Sequence, residues 1–442
     1  MARAPDARRR KLSYAQSRLW FLDRLEPGNA AYNVATALRL SGDLDGPALG
    51  RALSELERRH EALRARFVPG PDGPEQLFDP PRPRVLETED LTGGAEPWRE
   101  ARRRVAEEAG VPFDLERGPL WRARLLRAGG SENILSIVLH HAVTDGWSMD
   151  LIVRELATLY AAFTEGRESP LADLPIQYAD WAAWQRAWLE GGELDRQLAY
   201  WRRELDGVEP LEIPTDRPRP SRRGLRGASF GFAIEPEDAA ALTRLARSEG
   251  ATLFHLLLAC FQALLARHAG VEEVVVGTPV ANRSLEEAEP LVGCFANTLP
   301  VRTQVEPGMT LRALVQRVRD KTLDACAHQD VPFESIVEAL DLRRDLSRNP
   351  LFDALFVLQH AGAPVAAVGG LRVEPLPADT GATPFDLTLA MAESGQGIFG
   401  SLLYDADLFD AATAQRFVGH FGELARALAR NPDTPLGEVE LG

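Results

Sequence analysis

The sequence predicts a mixed α/β fold built as two lobes. At roughly 100–200 residues per folding unit, a chain of 442 residues exceeds one ordinary domain. With 45% hydrophobic and 26% charged residues, and 36 Gly and 31 Pro spread along the chain, the composition is that of a globular protein, not a disordered or rod-like one. Segments of helical and strand periodicity occur in both halves on a comparable scale, without a residue-level repeat. The economical boundary lies near residues 170–180, giving lobes 1–175 and 176–442.

Ser13 followed by Gln16 has the form of a capping box, and Leu19, Trp20 and Leu22 to Leu25 give the first helix an apolar face. Asp45 and Pro47 open a second helix, with Leu49, Leu53, Leu56 and Leu63 at helical spacing. Residues Pro69 to Pro83 read as a Pro/Gly-rich loop, followed by a helix around Trp98–Glu108 and strands at Trp121–Arg127 and Ile134–His140. The second strand is almost wholly apolar, as a strand covered on both faces is. It runs into His140-His141-Ala142-Val143-Thr144-Asp145-Gly146 and then a helix on which Leu151, Ile152, Leu156, Leu159 and Phe163 share a face, with Gly166 at its end. A helix over Ala179–Glu204 carries Trp181, Trp184, Trp188 and Trp201 as packing residues. Glu209–Gly227, rich in proline and arginine, has the composition of an exposed linker or crossover. Strands are then expected at Ser229–Ile234, Glu273–Thr278, Leu355–His360, Phe385–Ala392 and Gly397–Tyr404, and helices at Pro236–Ser248, Leu253–His268, Leu311–Ala327 and Ala411–Arg430.

Fifty basic against 65 acidic residues leave a net charge of −15, which weighs against nucleic acid or an anionic membrane as partner. Cys260, Cys294 and Cys326 sit among apolar residues without a CxxC spacing, so buried free thiols in a reducing compartment are expected, with no disulfide framework or structural zinc. The basic N-terminus runs into an amphipathic segment, not an apolar signal core. The longest apolar stretch, Leu253 to Ala266, is shorter than the ~20 residues a bilayer requires. A cytoplasmic protein is the expectation.

On an extended segment neighbouring side chains point to opposite faces, so only one of His140 and His141 can face a given site, which argues against a shared metal. A histidine at the end of a buried strand, four residues before an Asp-Gly turn, suits a general base or a group that positions an amine. Gly146 would permit a backbone angle closed to other residues, and an amide near the start of a helix could face developing negative charge. Alternatively, both histidines are hydrogen-bonded core residues and Asp145 merely caps the helix. The motif alone leaves both readings standing.

Its company decides between them. Ser13-Tyr14-Ala15-Gln16-Ser17-Arg18-Leu19-Trp20 resembles SxAQxRLW, and Arg59-His60-Glu61-Ala62-Leu63-Arg64-Ala65-Arg66-Phe67 resembles RHExLRTxF with Ala65 in place of Thr. His140 to Ser148 matches HHxxxDGWS, and Tyr178 to Trp184 is similar to YxDFAVW. Val292 to Arg302 resembles GxFVNTLxxR, with Cys294 and Ala296 as small departures, while His328 to Glu334 and Arg344 to Leu351 resemble HQDVPFE and RDxSRNPL. These seven segments, in this order over nearly the whole chain, resemble the condensation domains of nonribosomal peptide synthetases.

The resemblance implies two chloramphenicol-acetyltransferase-like lobes in a V-shaped pseudo-dimer with a central tunnel. It also implies aminolysis of a carrier-bound donor thioester by the amine of a carrier-bound acceptor. His141 would act as base or amine-positioning group beside His140, Asp145 and Gly146, with Arg18, Trp147, Ser148 and Asn297 along the tunnel. His140 and Asp145 would mainly hold the corner. A buried carboxylate needs a cation, and Arg283 is the expected partner of Asp145, with Arg302 as fallback. The domain itself would bind no metal or cofactor, because phosphopantetheine belongs to the upstream donor and downstream acceptor carrier proteins. An adjacent adenylation domain is a further implied partner, and the isolated domain would be monomeric. The first motif with its following Glu26-Pro27-Gly28-Asn29 and Ala31-Tyr32-Asn33, and the Asn297-Thr298-Leu299 segment, look most like the subtype joining an L-donor to an L-acceptor.

No DxxxxD replaces the two histidines as in heterocyclisation domains, and no DFGWG segment marks a plant-type acyltransferase. Epimerisation domains lack the first and sixth patterns seen here. A domain that dehydrates Ser or Thr during condensation, and a non-catalytic recruitment domain, are the alternatives. His255, His268, His360 and His420 are expected to be structural, His60 and His328 to carry no catalytic role, and Arg59, Arg64 and Arg66 to form a solvated or salt-bridged surface.

Overall fold

Local signals set most element ends in the computed structural model, which describes residues 9–342, 345, 347–360, 367–376, 381–394 and 397–442. The N-terminal basic run up to Arg8, Arg344 and Leu346 of the last motif, and the side chain of His360 lie outside the described residues. After strand β1 (Arg9–Lys11), Ser13 and Gln16 form the reciprocal capping box of α1 (Tyr14–Leu25). Strand β2 (Asn33–Ser41) leads to α2 (Gly46–Arg59), capped by Asp45. Leu63 falls in a short 3₁₀ turn beyond α2. There follow β3 (Ala65–Gly70), β4 (Gly73–Phe78), β5 (Glu87–Asp90), α3 (Pro97–Ala109), β6 (Trp121–Gly129), β7 (Glu132–His140) and α4 (Gly146–Thr164).

Three local expectations are corrected here. The stretch Pro69 to Pro83 is not all loop, because β3 and β4 pair antiparallel with Gly73 at positive φ in the turn, and β1 adds to β4. The apolar face of α1 is narrower than expected, since Leu19 is buried but Phe21 and Leu25 are exposed. The single helix expected over Ala179–Glu204 is two, α5 (Tyr178–Trp188) and α6 (Leu194–Glu204). Between them Gly192 takes φ 106, which an α-helix cannot accommodate.

The remaining elements are β8 (Gly227–Ile234), α7 (Pro236–Ser248), α8 (Leu253–Ala269), β9 (Glu273–Val280), β10 (Asn297–Gln304), α9 (Leu311–Cys326), α10 (Phe333–Ala339), β11 (Ala354–His360), β12 (Arg372–Leu376), β13 (Leu387–Ser394), β14 (Gly397–Asp405) and α11 (Ala411–Arg430).

These elements form two units. The first comprises Met1–Glu193, Ala281–Ala296 and Gly362–Gly381, and the second Leu194–Val280, Asn297–Ala361 and Ala382–Gly442. The expected division into 1–175 and 176–442 is thereby corrected. The first break falls where Gly192 interrupts the helix, and two later segments return to the first unit. One of them brings β12, which pairs antiparallel with β2.

In the first unit the sheet order is β12-β2-β7-β6-β5. Strand β7 is central and buried from Asn133 to His140. Ile134 joins Ala101 and Val105 of α3 in one apolar cluster. Leu135, Ile137 and Val138 join Leu53 and Leu56 of α2, and Ile152 and Leu156 of α4, in the larger core. Covered on both faces, β7 carries its last residues to the corner with α4.

The second unit has a six-stranded sheet, β10-β9-β11-β13-β14-β8, in which β11 runs parallel to both neighbours. Helix α8 is buried along nearly its whole length. The stretch Glu209–Gly227 is largely exposed, as its composition suggested, but it is fastened to the second unit: Leu211 and Ile213 are buried, and Arg219 and Arg223 pair with the buried Asp386. Among the described residues, no single helix is long and apolar enough to cross a membrane.

Candidate active site

The sheet ladder runs out at the two histidines. His140 lies opposite Asn33 in the β2–β7 register, and the His141 N–H donates to Tyr32 O at 2.8 Å. The His140 ring is buried near Tyr32 and Phe113, and its Nδ1 accepts from the Ala142 N–H at 3.1 Å. Burial, helped by neighbouring His141, pushes the His140 pKa down to about 3, so this ring is a neutral structural group.

His141 is partly exposed and begins a single 3₁₀ turn, His141–Val143. Its Nδ1 lies 2.7 Å from the carbonyl oxygen of Thr144. A carbonyl can only accept, so in the neutral ring Nδ1 carries the hydrogen and Nε2 keeps the lone pair. The Sγ of Cys294 stands 3.8 Å from the same Nδ1.

Asp145 caps α4 in an extended conformation, φ −141 and ψ −177, which itself turns the corner. Gly146, the exposed first residue of α4, does not have positive φ. The expectation that it supplies a backbone angle closed to other residues is corrected accordingly.

Asp145 is 2% exposed and its carboxylate is satisfied from three directions. Oδ1 accepts from the Ser148 N–H at 2.8 Å and from Arg283 Nη2 at 3.2 Å, and Oδ2 accepts from the amides of Phe295 at 3.0 Å and Ala296 at 3.2 Å. Arg283 in turn donates through Nη1 to Ala288 O and Leu291 O, and through Nη2 to Ser148 Oγ. Its guanidinium lies 3.8 Å from the Phe295 ring centroid. Arg302, the alternative partner, instead pairs with Glu273 and donates to Glu204 O and Asp206 O.

Ser148 was expected to line the substrate path, but it is fully buried, donating to Gly293 O and accepting from Gly293 N–H and Arg283. With both roles of its hydroxyl in use, it fastens α4 to the segment 281–296. Trp147 is 41% exposed, and its Nε1–H donates to Glu289 O. Arg18 is half-buried on α1. Asn297 lies in the second unit, where its amide donates to Gln329 O and Val331 O and accepts from the Phe333 N–H; this is a loop-holding role.

Two contributors carried no role in the sequence reading. Tyr178 is fully buried, and its hydroxyl donates to Cys294 O at 2.7 Å and accepts from Ser13 Oγ at 2.8 Å. Burial holds its pKa well above that of an ordinary tyrosine. A Cβ on Gly293 would stand 2.0 Å from the Tyr178 ring. Both residues sit inside quoted motifs, and a glycine placed among bulky apolar neighbours was the available signal. Residues 293–296 thus bind Ser148, Tyr178 and Asp145 in turn, and touch His141.

Of the two forms expected for Arg59 the salt-bridged one is present, but buried and not on the surface: with a side chain only 8% exposed it reaches Glu155 Oε1 at 3.0 Å, while His60 Nε2 lies 2.7 Å from Oε2. Burial lowers the His60 pKa. His255 completes a capping box with Thr252, and His268 and His420 meet at 2.9 Å. Among the described residues, no group of three or more His, Cys, Asp or Glu could hold a metal ion.

The site can therefore present a neutral imidazole Nε2 beside a rigid, charge-compensated corner. Residues 7–442 match the family model of the condensation domain. A linear gramicidin synthase from Brevibacillus parabrevis is 45% identical over 435 residues, 97% of this chain but 6% of that protein. Among solved structures, the X-domain from teicoplanin biosynthesis is similar with a TM-score of 0.90 at 31% identity, over 100% of this chain and 99% of that one. The first condensation domain of the calcium-dependent antibiotic synthetase, in complex with a substrate analogue, is similar with a TM-score of 0.85 at 25% identity, over 98% and 99% of the two chains. These structures share the mixed α/β fold, and with the family match spanning almost every residue, the chain belongs to the condensation-domain family of nonribosomal peptide synthetases.

Proposed function

We propose that this chain forms a peptide bond by aminolysis: the amine of a carrier-bound acceptor aminoacyl group attacks the acyl carbonyl of a carrier-bound donor thioester. A C–N bond forms, the C–S bond breaks, and the donor's pantetheine thiol leaves. The observation that carries this reading is the tautomer of His141, whose Nδ1–H is held by Thr144 O so that Nε2 can accept the amine's proton or fix the neutral amine. The thioester is already reactive, and tethering both substrates supplies a large part of the rate through proximity.

His140 and the Asp145–Arg283 pair hold His141 in place. Arg18 and the exposed Trp147 are the side chains assigned to the substrate path, Arg18 toward the acceptor arm. The pantetheine arms belong to the upstream and downstream carriers, so the domain needs no resident metal or nucleotide. An adjoining adenylation domain would load the acceptor, and the isolated domain would work as a monomer in the cytoplasm. L-donor with L-acceptor is the assigned subtype.

The test is reconstitution. Carriers loaded with donor and acceptor are mixed with the domain, and carrier-bound species are followed by intact-protein mass spectrometry. Product at the sum of donor acyl and acceptor masses on the acceptor carrier is expected. The same product less one water would instead establish the dehydrating variant. No product with correctly loaded carriers and folded domain would favour recruitment.

A further inference from the structure

At the far end of the first unit, away from the histidines, lies an open cleft of about 1160 Å³. Phe163 lines it near the C-terminus of α4, whose N-terminus carries the Asp145 corner. The 19 residues of that helix put about 28 Å between the two. Gly130 and Ser131, in the turn that precedes β7, line it as well, whereas His140 ends that strand.

Five arginines border the cleft, Arg51, Arg58, Arg82, Arg84 and Arg127, against two carboxylates, Asp43 and Glu55. Arg58 is held by Glu55, and Arg84 by Glu57. Arg51, Arg82 and Arg127 are exposed and make no ion pair among the described residues, although the charge of Arg127 is felt by Asp90 at the end of β5. Arg51 is also fixed in place, its guanidinium 4.3 Å from the Phe163 ring centroid. Cations in excess of carboxylates on a concave surface, two of them (Arg51 and Arg82) with no carboxylate partner among the described residues, concentrate anions there.

We infer that this cleft binds an acidic polypeptide segment. The cleft is wider than the roughly 300–1,000 Å³ of ordinary small-molecule pockets and is open to solvent. Its cations are separate side chains from α2, β6 and the loop before β5, a layout suited to successive carboxylates along a chain. Arginine forks bind carboxylates bidentately, so such contacts add direction to charge.

A fluorescein-labelled octaglutamate peptide titrated with the 442-residue chain at low salt tests this by anisotropy. Saturable binding is expected, weakened at least about tenfold in Arg51→Gln/Arg82→Gln/Arg127→Gln. The control Arg99→Gln/Arg117→Gln/Arg372→Gln makes the same change in net charge at exposed arginines outside the cleft and should alter affinity less than about twofold. Melting curves establish that both variants are folded. Equal weakening in the two triples, or no saturation with the wild type, would overturn the inference. Saturable binding of inorganic tripolyphosphate that the peptide cannot displace would overturn it in favour of a small polyanion.

Discussion

The Nδ1 of His141 lies 2.7 Å from the carbonyl oxygen of Thr144, three residues along the same turn. That bond decides which ring nitrogen faces outward with its lone pair. His141→Asn keeps a donor near Nδ1 but removes Nε2, whereas His141→Ala removes both. Each is expected to lower condensation by about 10²–10⁴-fold with little change in melting temperature, because the ring is partly exposed. Turnover is read as product on the acceptor carrier. A folded variant with near-wild-type turnover would remove His141 from the mechanism.

His140 links stability to acid. Its folded pKa of about 3 lies below the ordinary histidine value of 6.5, so the unfolded state binds more protons between these pH values. Stability from the neutral buried ring is complete above pH ~6.5 and is lost progressively as pH falls toward ~3, an effect on the order of a few kcal/mol. Urea midpoints measured from pH 7 to pH 4 should fall more steeply for the wild type than for His140→Gln, which has no proton to gain. Parallel slopes would contradict the assignment.

Asp145 and Arg283 are each 2% exposed in their side chains. Removing either partner strands a buried charge, so Asp145→Asn and Arg283→Met should each cost about 3–5 kcal/mol. The double variant should cost less than the sum, with a coupling of about 1–3 kcal/mol by urea unfolding. Strict additivity would show that the backbone amides alone hold the carboxylate.

Gly293→Ala is expected to destabilise by about 1–3 kcal/mol, since its Cβ would meet the Tyr178 ring at 2.0 Å and that ring is fully buried. Tyr178→Phe keeps the ring but loses the bonds to Cys294 O and Ser13, at about 1–2 kcal/mol. Thermal melts of both variants check these values. An unchanged melting temperature for Gly293→Ala would show that the segment 293–296 can yield.

What the sequence made legible follows from how local each signal is. The capping box at Ser13, the apolar run of β7 and the helix periods depend on neighbours in sequence, and these elements appear within a residue or two. Strand β12 and the hairpin of β3 and β4 depend on distant or turn-specific partners, and the Pro/Gly content masked them. In the site, Asp145 was legible as a buried carboxylate in need of a cation. Ser148 was misread because only packing reveals that its hydroxyl faces Gly293. Tyr178 was passed over, and Arg59 placed on the surface, for the same reason: residues far apart in sequence set their burial.

The subtype assignment is testable by competition. With L- and D-configured donors supplied together on carriers, the L-donor should dominate the product, because inverting the α-carbon moves either the side chain or the carbonyl off the line of attack. Product ratios by mass spectrometry measure the preference. A clear preference for the D-donor would reverse the subtype while leaving peptide-bond formation in place.

The return of Ala281–Ala296 to the first unit bears on how such domains can be recombined. A genetic crossover anywhere between α4 and Ala281 joins the histidine corner of one parent to the Arg283 and backbone amides of another. Chimeras made with a single cut in that interval therefore inherit a mismatched clasp. Exchanging the first 193 residues together with 281–296 transfers it whole.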